Sequence, residues 1–186
     1  MSLLGIDIGT TGCKVIAFNR KADIISQEYV EYFLKHPKEG WMELDPEYIW
    51  TKIKEMILKT NNCIKKDHIT AFSISCQGEA IIPIDKDGNS LYNAIVTFDS
   101  RTFEQYQFWK RAVGAEKIFK ITGMPLNPMY SINKIMWIKK HLKEVYKKTY
   151  KFLCFEDFIF SKFGLIRAAY TASRVTINFA LESFNW

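Results

Sequence analysis

The residues best suited to chemistry lie near the amino terminus, around a short glycine-rich turn. Asp7 ends one apolar segment, Gly-Thr-Thr-Gly follows at residues 9–12, and Lys14 lies at the start of the next apolar segment. Glycines let a backbone approach an anion closely, so the hydroxyl and N–H groups of Thr10 and Thr11 can surround a phosphate. Asp7 is a hard oxygen ligand of the kind that Mg²⁺ prefers, and Lys14 adds a positive charge. The spacing indicates a phosphate and metal site, with an ordinary hairpin turn as the alternative that a short glycine pattern alone favours.

Two short strands must hold this turn in place. Residues 3–8 and 13–18 are rich in apolar residues that suit a β-strand, and the intervening turn predicts that they pair as a β-hairpin. A second turn at residues 19–22 leads to a third predicted strand at 24–34. We therefore expect three antiparallel strands in succession.

A helix is the next predicted element. Asp45 has the side chain of an N-cap and Pro46 suits the first helical position, so the helix should begin here and end near residues 61–62. The remaining predictions are strands at 69–75 and 80–84, a hairpin turn at 85–88, and mainly helix from Asp99 to about residue 163. This order is expected of an α/β domain of the ribonuclease-H type, with a mixed β-sheet flanked by helices.

Composition limits the classes of protein to which this chain can belong. Its 186 residues fit one domain or most of one, and no stretch of them approaches the length of a membrane span. The start of the chain lacks the pattern of a secretory leader. The cysteines stand singly in the sequence, at Cys13, Cys63, Cys76 and Cys154. This spacing predicts neither a zinc site nor a disulfide framework, and it favours a reducing, cytoplasmic location.

The positive charge of the chain has a local explanation. The formal net charge is +6, and much of the excess lies in residues 134–151, where apolar residues recur at helical spacing. We expect these lysines to form the solvated face of a helix. A nucleic-acid partner is not predicted, because a wide basic surface or a known binding module is lacking.

Three further segments, taken with the glycine-rich turn, resemble one family of enzymes. Residues 40–50 read GWMELDPEYIW, residues 73–102 contain a glutamine turn and an Asp-x-Arg, and residues 122–141 combine Thr-Gly-x-Pro with Ser-x-x-Lys-x-x-Trp. A weaker match, ASRVTINFALESFNW, occupies residues 172–186. In this order the segments resemble the FGGY family of carbohydrate kinases, which includes xylulokinases, gluconokinases and glycerol kinases.

The resemblance implies ATP-dependent transfer of a phosphoryl group to a hydroxyl of a small carbohydrate, which is a ketopentose, a sugar acid or a polyol. Members of the family fold as two ribonuclease-H-like domains, as actin and hexokinase do, and bind the carbohydrate in the first domain. ATP and Mg²⁺ are the implied cofactors. Asp7 would lie near the metal, and Thr10, Thr11 and Lys14 would meet the phosphates.

The resemblance also implies a set of substrate-binding residues. Gln77 and Glu79 match the turn that reads substrate hydroxyls, and Tyr130 lies one residue after the position of a substrate-contacting tyrosine in glycerol kinases. Asp99 and Arg101 match the family's Asp-x-Arg, in which the aspartate orients the substrate and the arginine braces the loop. Two alternatives stay open from the residues themselves. Glu79 is equally well explained as a solvated turn residue. Asp99 is also explained as the N-cap of the following helix, a role that is compatible with orienting the substrate.

Several residues depart from the family pattern and leave the carbohydrate unidentified. Thr97 stands where an aromatic residue is usual, Ala168 where an acidic residue is usual, and Cys13 where a hydroxyl residue is common. Trp41 has two interpretations, a wall of the cleft or part of the core, of which the core is favoured for a lone tryptophan.

The resemblance implies a domain organisation as well. Residues 1–186 are expected to form the N-terminal, sugar-binding part of a kinase, incomplete at its C-terminus and without the nucleotide-binding second domain. The general base of the family is an aspartate that would lie beyond Trp186, so no catalytic residue is assigned and the chain alone is expected to be inactive. The predicted partners are a small carbohydrate and ATP, with no membrane and with a homodimer left open. A non-catalytic carbohydrate-binding or regulatory protein and an actin-like assembly module are the two alternatives.

Overall fold

The computed structural model describes residues 1–64 and 68–164. Its strands are β1 (Ser2–Ile8), β2 (Gly12–Phe18), β3 (Ile24–Glu31), β4 (Glu43–Leu44), β5 (Ile69–Cys76), β6 (Ile82–Ile84), β7 (Ala94–Ile95) and β8 (Lys151–Leu153). Its helices are α1 (Pro46–Cys63), α2 (Phe103–Ala112), α3 (Ala115–Thr122), α4 (Ser131–His141), α5 (Lys143–Lys148) and α6 (Phe155–Lys162). The weak motif at residues 172–186 and the departure at Ala168 lie outside the described residues.

The main sheet has four strands in the order β3-β2-β1-β5. The strands β1, β2 and β3 pair antiparallel, whereas β1 and β5 run parallel, with Ile8 opposite Cys76. This arrangement confirms the predicted α/β class and its mixed sheet. Because β1 and β5 are parallel, the turns that follow them leave the sheet at the same edge.

Helix α1 begins where the sequence predicts. The Asp45 carboxylate accepts the backbone N–H of Tyr48 at 3.1 Å, and Pro46 occupies the first turn, where its missing N–H costs no hydrogen bond. Ile49 and Ile53 are buried on the side of the helix that packs against β2 and β3. The predicted start and buried face of this helix are confirmed.

The main core lies on one face of the sheet. Alternation along β1 buries Leu4, Ile6 and Ile8 while it exposes Asp7 on the other face. Phe155 and Phe158 of α6 pack into the same cluster. A smaller cluster of buried residues joins α4 to the strands β6 to β8, and it consists of Ile81, Ile95, Ile135, Trp137, Ile138 and Cys154.

The structure corrects several predicted boundaries. Strand β3 ends at Glu31 instead of residue 34, and β6 is confined to Ile82–Ile84. The predicted helical region contains the strand β8, which pairs antiparallel with β6. Three residues are too few for a periodic pattern, so the sequence carries no signal for β8. None of the helices in the described residues is both long and apolar enough to cross a membrane.

The lysine-rich segment is only partly the solvated face that its sequence predicts. Lys140, Lys143, Lys147 and Lys148 are exposed. Lys134, in contrast, is fully buried on α4, where it belongs to the same side of the helix as Trp137 and Ile138.

Candidate phosphate and carbohydrate site

The glycine-rich turn connects β1 to β2 and is closed by the backbone N–H of Gly9, which donates to the carbonyl of Gly12 at 2.9 Å. No backbone carbonyl of the described residues accepts the N–H groups of Thr10 or Thr11. Thr11 is exposed and Thr10 is half-buried. Two neighbouring N–H groups and two hydroxyls are therefore available to an anion at this turn.

Asp7 and Lys14 face each other across the hairpin. They are direct cross-strand partners, and both side chains point to the exposed face of the sheet. Ser75 of β5 lies opposite Asp7 on the other side. Mg²⁺ is commonly held by one or two carboxylates together with phosphate oxygens, so a single carboxylate beside a phosphate turn fits this ion. Within residues 1–64 and 68–164, no cluster of three metal-binding side chains suggests a cage made by the protein alone.

The second predicted turn, Gln77 to Glu79, follows β5 directly. The Oε1 and Nε2 atoms of Gln77 are shielded from water and have no hydrogen-bond partner among the described residues. A shielded amide without partners is unusual, because it loses its hydrogen bonds to water without replacement. Within the described residues, the amide of Gln77 is therefore enclosed and makes no hydrogen bond.

Glu79 is not the solvated turn residue that the alternative interpretation offered. One of its carboxylate oxygens accepts both the backbone N–H and the hydroxyl of Ser131, at 2.7 and 2.6 Å. Ser131 is the first residue of α4, where N–H groups have no partner within the helix and the helix dipole favours a negative charge. The carboxylate of Glu79 thus joins the Gln77–Glu79 turn to the start of α4.

Lys134 is the lysine of the Ser-x-x-Lys-x-x-Trp match, but its place beside this site is not predicted from the sequence. Its ammonium group donates to the backbone carbonyl of Glu79, and the thiol of Cys154 donates to the carbonyl of Gly78 at 3.1 Å. Burial lowers the pKa of Lys134 to about 8, against the attraction of Glu79 and Asp99. The sequence does contain a signal for this burial, because helical spacing places Lys134 on the apolar side of α4.

Asp99 and Arg101 form a buried ion pair. One Asp99 oxygen accepts the backbone N–H and Nε of Arg101 at 2.9 and 2.8 Å. The other accepts Nη2 of Arg101 at 2.7 Å and the backbone N–H of Met42 at 2.6 Å. Asp99 is not the N-cap of α2, because Thr102 precedes that helix and its hydroxyl donates instead to the carbonyl of Pro128.

Glu43 completes this ion pair; it lies in the matched segment at residues 40–50, but the sequence predicts no role for it. Nη1 of Arg101 donates to Glu43 at 2.8 Å, and Tyr92 and Asn93 donate to the same carboxylate at 2.7 and 2.8 Å. Although burial alone would lower it, the pKa of Arg101 is raised by its hydrogen bonds to both carboxylates.

Two tryptophans pack against this arginine. The guanidinium carbon lies 4.0 Å from the ring centre of Trp41 and 4.9 Å from that of Trp137. Trp41 is half-buried and packs against the smaller core cluster, which agrees with its favoured interpretation.

Tyr130 immediately precedes α4 and lies near Glu79. Burial, followed by the negative charge of Glu79, raises the pKa of its hydroxyl group. The structure thus brings Glu79 and Tyr130 together at the start of α4, and Lys134 interacts electrostatically with both Glu79 and Asp99. The Gly9–Gly12 turn leaves the sheet beside Gln77, because Ile8 and Cys76 are paired in the parallel ladder.

Comparison with known proteins identifies similar sequences along most of the chain. The chain is 30% identical to the xylulose kinase of Staphylococcus xylosus over 185 residues, which cover 99% of this chain and 38% of that protein. It is 29% identical to the gluconokinase of Bacillus subtilis strain 168 over 189 residues, which cover 99% of this chain and 36% of that protein. The chain therefore spans little more than a third of the length of these relatives.

The fold is similar to that of a solved kinase structure. The crystal structure of Plasmodium falciparum glycerol kinase with ADP superposes with a TM-score of 0.79 at 26% identity, over 85% of this chain and 33% of that chain. The model of the FGGY family of carbohydrate kinases, N-terminal domain, matches residues 2–174. The described residues accordingly have the ribonuclease-H-like, actin-like fold of these kinases, and the chain belongs to the FGGY family of carbohydrate kinases.

Proposed function

We propose that the protein containing this chain transfers the γ-phosphoryl group of ATP to a hydroxyl of a small carbohydrate. One observation carries the proposal. The parallel pairing of β1 with β5 brings the Gly9–Gly12 turn and the Gln77–Glu79 turn to the same edge of one sheet. One turn has free N–H groups for an anion, and the other has a free amide and a carboxylate that suit hydroxyl groups.

The phosphate side of the proposed site acts by positioning and by neutralising charge. Thr10 and Thr11 would donate hydrogen bonds to the phosphate oxygens, and Lys14 would place a positive charge beside them. Asp7 would hold Mg²⁺, which would supply positive charge to neutralise the phosphate oxygens. Phosphoryl transfer has a loose transition state, so these contributions account for most of what the protein must supply.

The carbohydrate side divides into residues that contact the ligand and residues that hold them. Gln77, Glu79 and Tyr130 would contact substrate hydroxyls. Asp99 accepts four hydrogen bonds from protein groups, and the side chain of Arg101 is only 1% exposed. We propose that this pair orients the substrate by fixing the loop that surrounds it.

We further propose that the general base is an aspartate beyond Trp186. Among the described carboxylates of the site, Asp99 is saturated by protein donors and Glu79 is bound by Ser131. Asp7 lies on the phosphate side, opposite Lys14. A substrate hydroxyl is a poor nucleophile unless a positioned base accepts its proton, which contributes about 10²- to 10⁴-fold to the rate.

The cellular setting is also part of the proposal. Within the described residues the four cysteines form no disulfide, which supports a reducing, cytoplasmic location. A homodimer stays a prediction, and sedimentation over a range of protein concentrations tests it. The same measurement tests the actin-like alternative, because an assembly module would form larger species as its concentration rises.

The deciding experiment uses the complete product of the reading frame that encodes this chain. ATP consumption is measured with a panel of pentuloses, sugar acids and polyols, and Gln77→Ala serves as the site variant. We expect turnover with at least one compound and a clear loss of it in the variant. Uniform inactivity across the panel would contradict the proposal that the protein is a carbohydrate kinase. Carbohydrate binding without ATP turnover would favour the regulatory alternative.

A further inference from the structure

Tyr32 lies directly after β3 and contacts the glycine-rich turn twice. Its backbone N–H donates to the carbonyl of Thr11 at 3.0 Å, and its hydroxyl donates to the carbonyl of Gly9 at 2.6 Å. The residue is 5% exposed, whereas Tyr29, three positions earlier, is 55% exposed. Tyr32 is therefore a buried side chain that holds the turn from the side of β3.

These two bonds fix the direction of N–H groups as well as of carbonyls. In a trans peptide the C=O of one residue and the N–H of the next point in opposite directions, and the described residues contain no cis peptide. Because the carbonyl of Gly9 points to the Tyr32 hydroxyl, the N–H of Thr10 points away from it. The carbonyl of Thr11 is held in the same way, so the N–H of Gly12 also points away from Tyr32.

The hydroxyl of Tyr32 is suited to this role over a wide range of pH. Burial above all, and then the negative charge that Cys13, Asp7 and Tyr29 can carry, raises its pKa well beyond the ordinary value. The group consequently stays protonated and remains a hydrogen-bond donor. No backbone carbonyl of the described residues accepts the Thr10 N–H that it orients.

We propose that Tyr32 is a positioning residue for phosphate binding, which acts by turning N–H groups of the Gly9–Gly12 turn towards the phosphates of ATP. This inference rests on the function proposed above. The N–H groups must point outward before the ligand arrives; the Tyr32 hydroxyl orients that of Thr10, and the Tyr32 backbone N–H orients that of Gly12. Tyr32 itself need not touch the nucleotide.

The test is Tyr32→Phe in the complete product of the reading frame, since phenylalanine keeps the buried ring and removes only the hydroxyl. We expect KM for ATP to rise about 3- to 10-fold, the range for one lost hydrogen bond, with KM for the carbohydrate unchanged. Calorimetry with ADP and Mg²⁺ should show the same loss of affinity without any need for turnover. Tyr48→Phe is the matched control, because it removes a hydroxyl from a ring that is 45% exposed on α1.

The outcomes separate this inference from the proposed function. If the wild-type protein phosphorylates a carbohydrate and Tyr32→Phe has the same KM for ATP, the positioning role is wrong and the kinase proposal stands. A lower melting temperature with unchanged nucleotide affinity also overturns it, since that result describes a purely structural residue. If no carbohydrate is phosphorylated, the kinase proposal fails, and the ADP affinities of the two proteins still decide the role of Tyr32. Absence of ADP binding by the wild type overturns both.

Discussion

Lys134 places an amino group inside an apolar cluster, and its surroundings explain how this is tolerated. The group donates to the carbonyl of Glu79 and is attracted by the carboxylates of Glu79 and Asp99, whereas Arg101 repels it. Burial still dominates and lowers the pKa from 10.5 to about 8. Between these two values the unfolded chain holds a proton that the folded chain has released.

This difference predicts how stability depends on pH. Because the unfolded state binds more protons, the contribution of Lys134 to the free energy of unfolding rises with pH from about 8 to about 10.5, by up to about 3 kcal/mol. The measurement is urea unfolding of the wild type and of Lys134→Met between pH 7 and 10. The difference between the two proteins should shift in favour of the wild type as the pH rises. Lys140→Met, at an exposed position of the same helix, should show no such shift. If the free energy of unfolding of Lys134→Met changes with pH in the same way as that of the wild type, the prediction is wrong.

Arg101 gives a second prediction at this scale. Its replacement by methionine leaves Asp99 and Glu43 without their cation, although the side chains of both carboxylates are at most 2% exposed. We expect Arg101→Met to lower the free energy of unfolding by about 3 to 5 kcal/mol, measured by chemical denaturation. Lys120→Met, which removes an exposed ion pair with Glu116, should cost less than about 1 kcal/mol. Equal effects of the two variants would show that the buried pair contributes little.

The sequence predicts the roles of some of these residues and not of others, for a physical reason. Asp99 and Arg101 are close in the chain and match a motif, so their importance was predicted. Glu43 pairs with them from a distant segment, and no local pattern reports such a contact. The charge of Lys134 predicts a solvated face, although its helical position places it on the same side of α4 as Trp137.

At the scale of elements, local signals were the most informative. The hairpin β1–β2 and the start of α1 depend on neighbouring residues: apolar alternation, a glycine turn, and the Asp45 cap followed by Pro46. The strand β8 depends instead on pairing with β6, which lies far away in the sequence. Its three residues have no preference strong enough to be predicted alone.

The hairpin also gives a prediction about glycine. A Cβ added to Gly12 would lie 2.8 Å from the carbonyl oxygen of Val30 and 2.6 Å from the Tyr29 hydroxyl. The backbone carbonyl cannot move without disturbing the pairing of β2 with β3, so Gly12→Ala should cost about 1 to 3 kcal/mol.

The matched control for this variant is Gly78→Ala, where an added Cβ meets nothing within 4 Å. Its effect on unfolding should stay within about 0.5 kcal/mol. Thermal unfolding of both variants tests this predicted difference in stability. A Gly12→Ala protein as stable as Gly78→Ala would mean that the hairpin relaxes around the new methyl group.

At the scale of the whole molecule, the chain spans 38% of the xylulose kinase that it resembles. We predict that residues 1–186, purified alone, do not phosphorylate carbohydrates in the presence of ATP and Mg²⁺. The reason is the proposed position of the general base beyond Trp186, since a positioned base and correct geometry provide much of the rate. A coupled assay with the same carbohydrate panel measures this, with the complete product of the reading frame as the positive control. Robust turnover by residues 1–186 would contradict the prediction.

The parallel ladder between β1 and β5 has a consequence for the order of folding. The Gly9–Gly12 turn belongs to a hairpin of neighbouring strands, a unit that forms within microseconds in isolated peptides. The Gln77–Glu79 turn reaches its place only after the chain has passed through β3 and α1, and contacts between distant residues form slowly. The Gly9–Gly12 turn would thus form before the Gln77–Glu79 turn docks beside it at the same edge of the sheet.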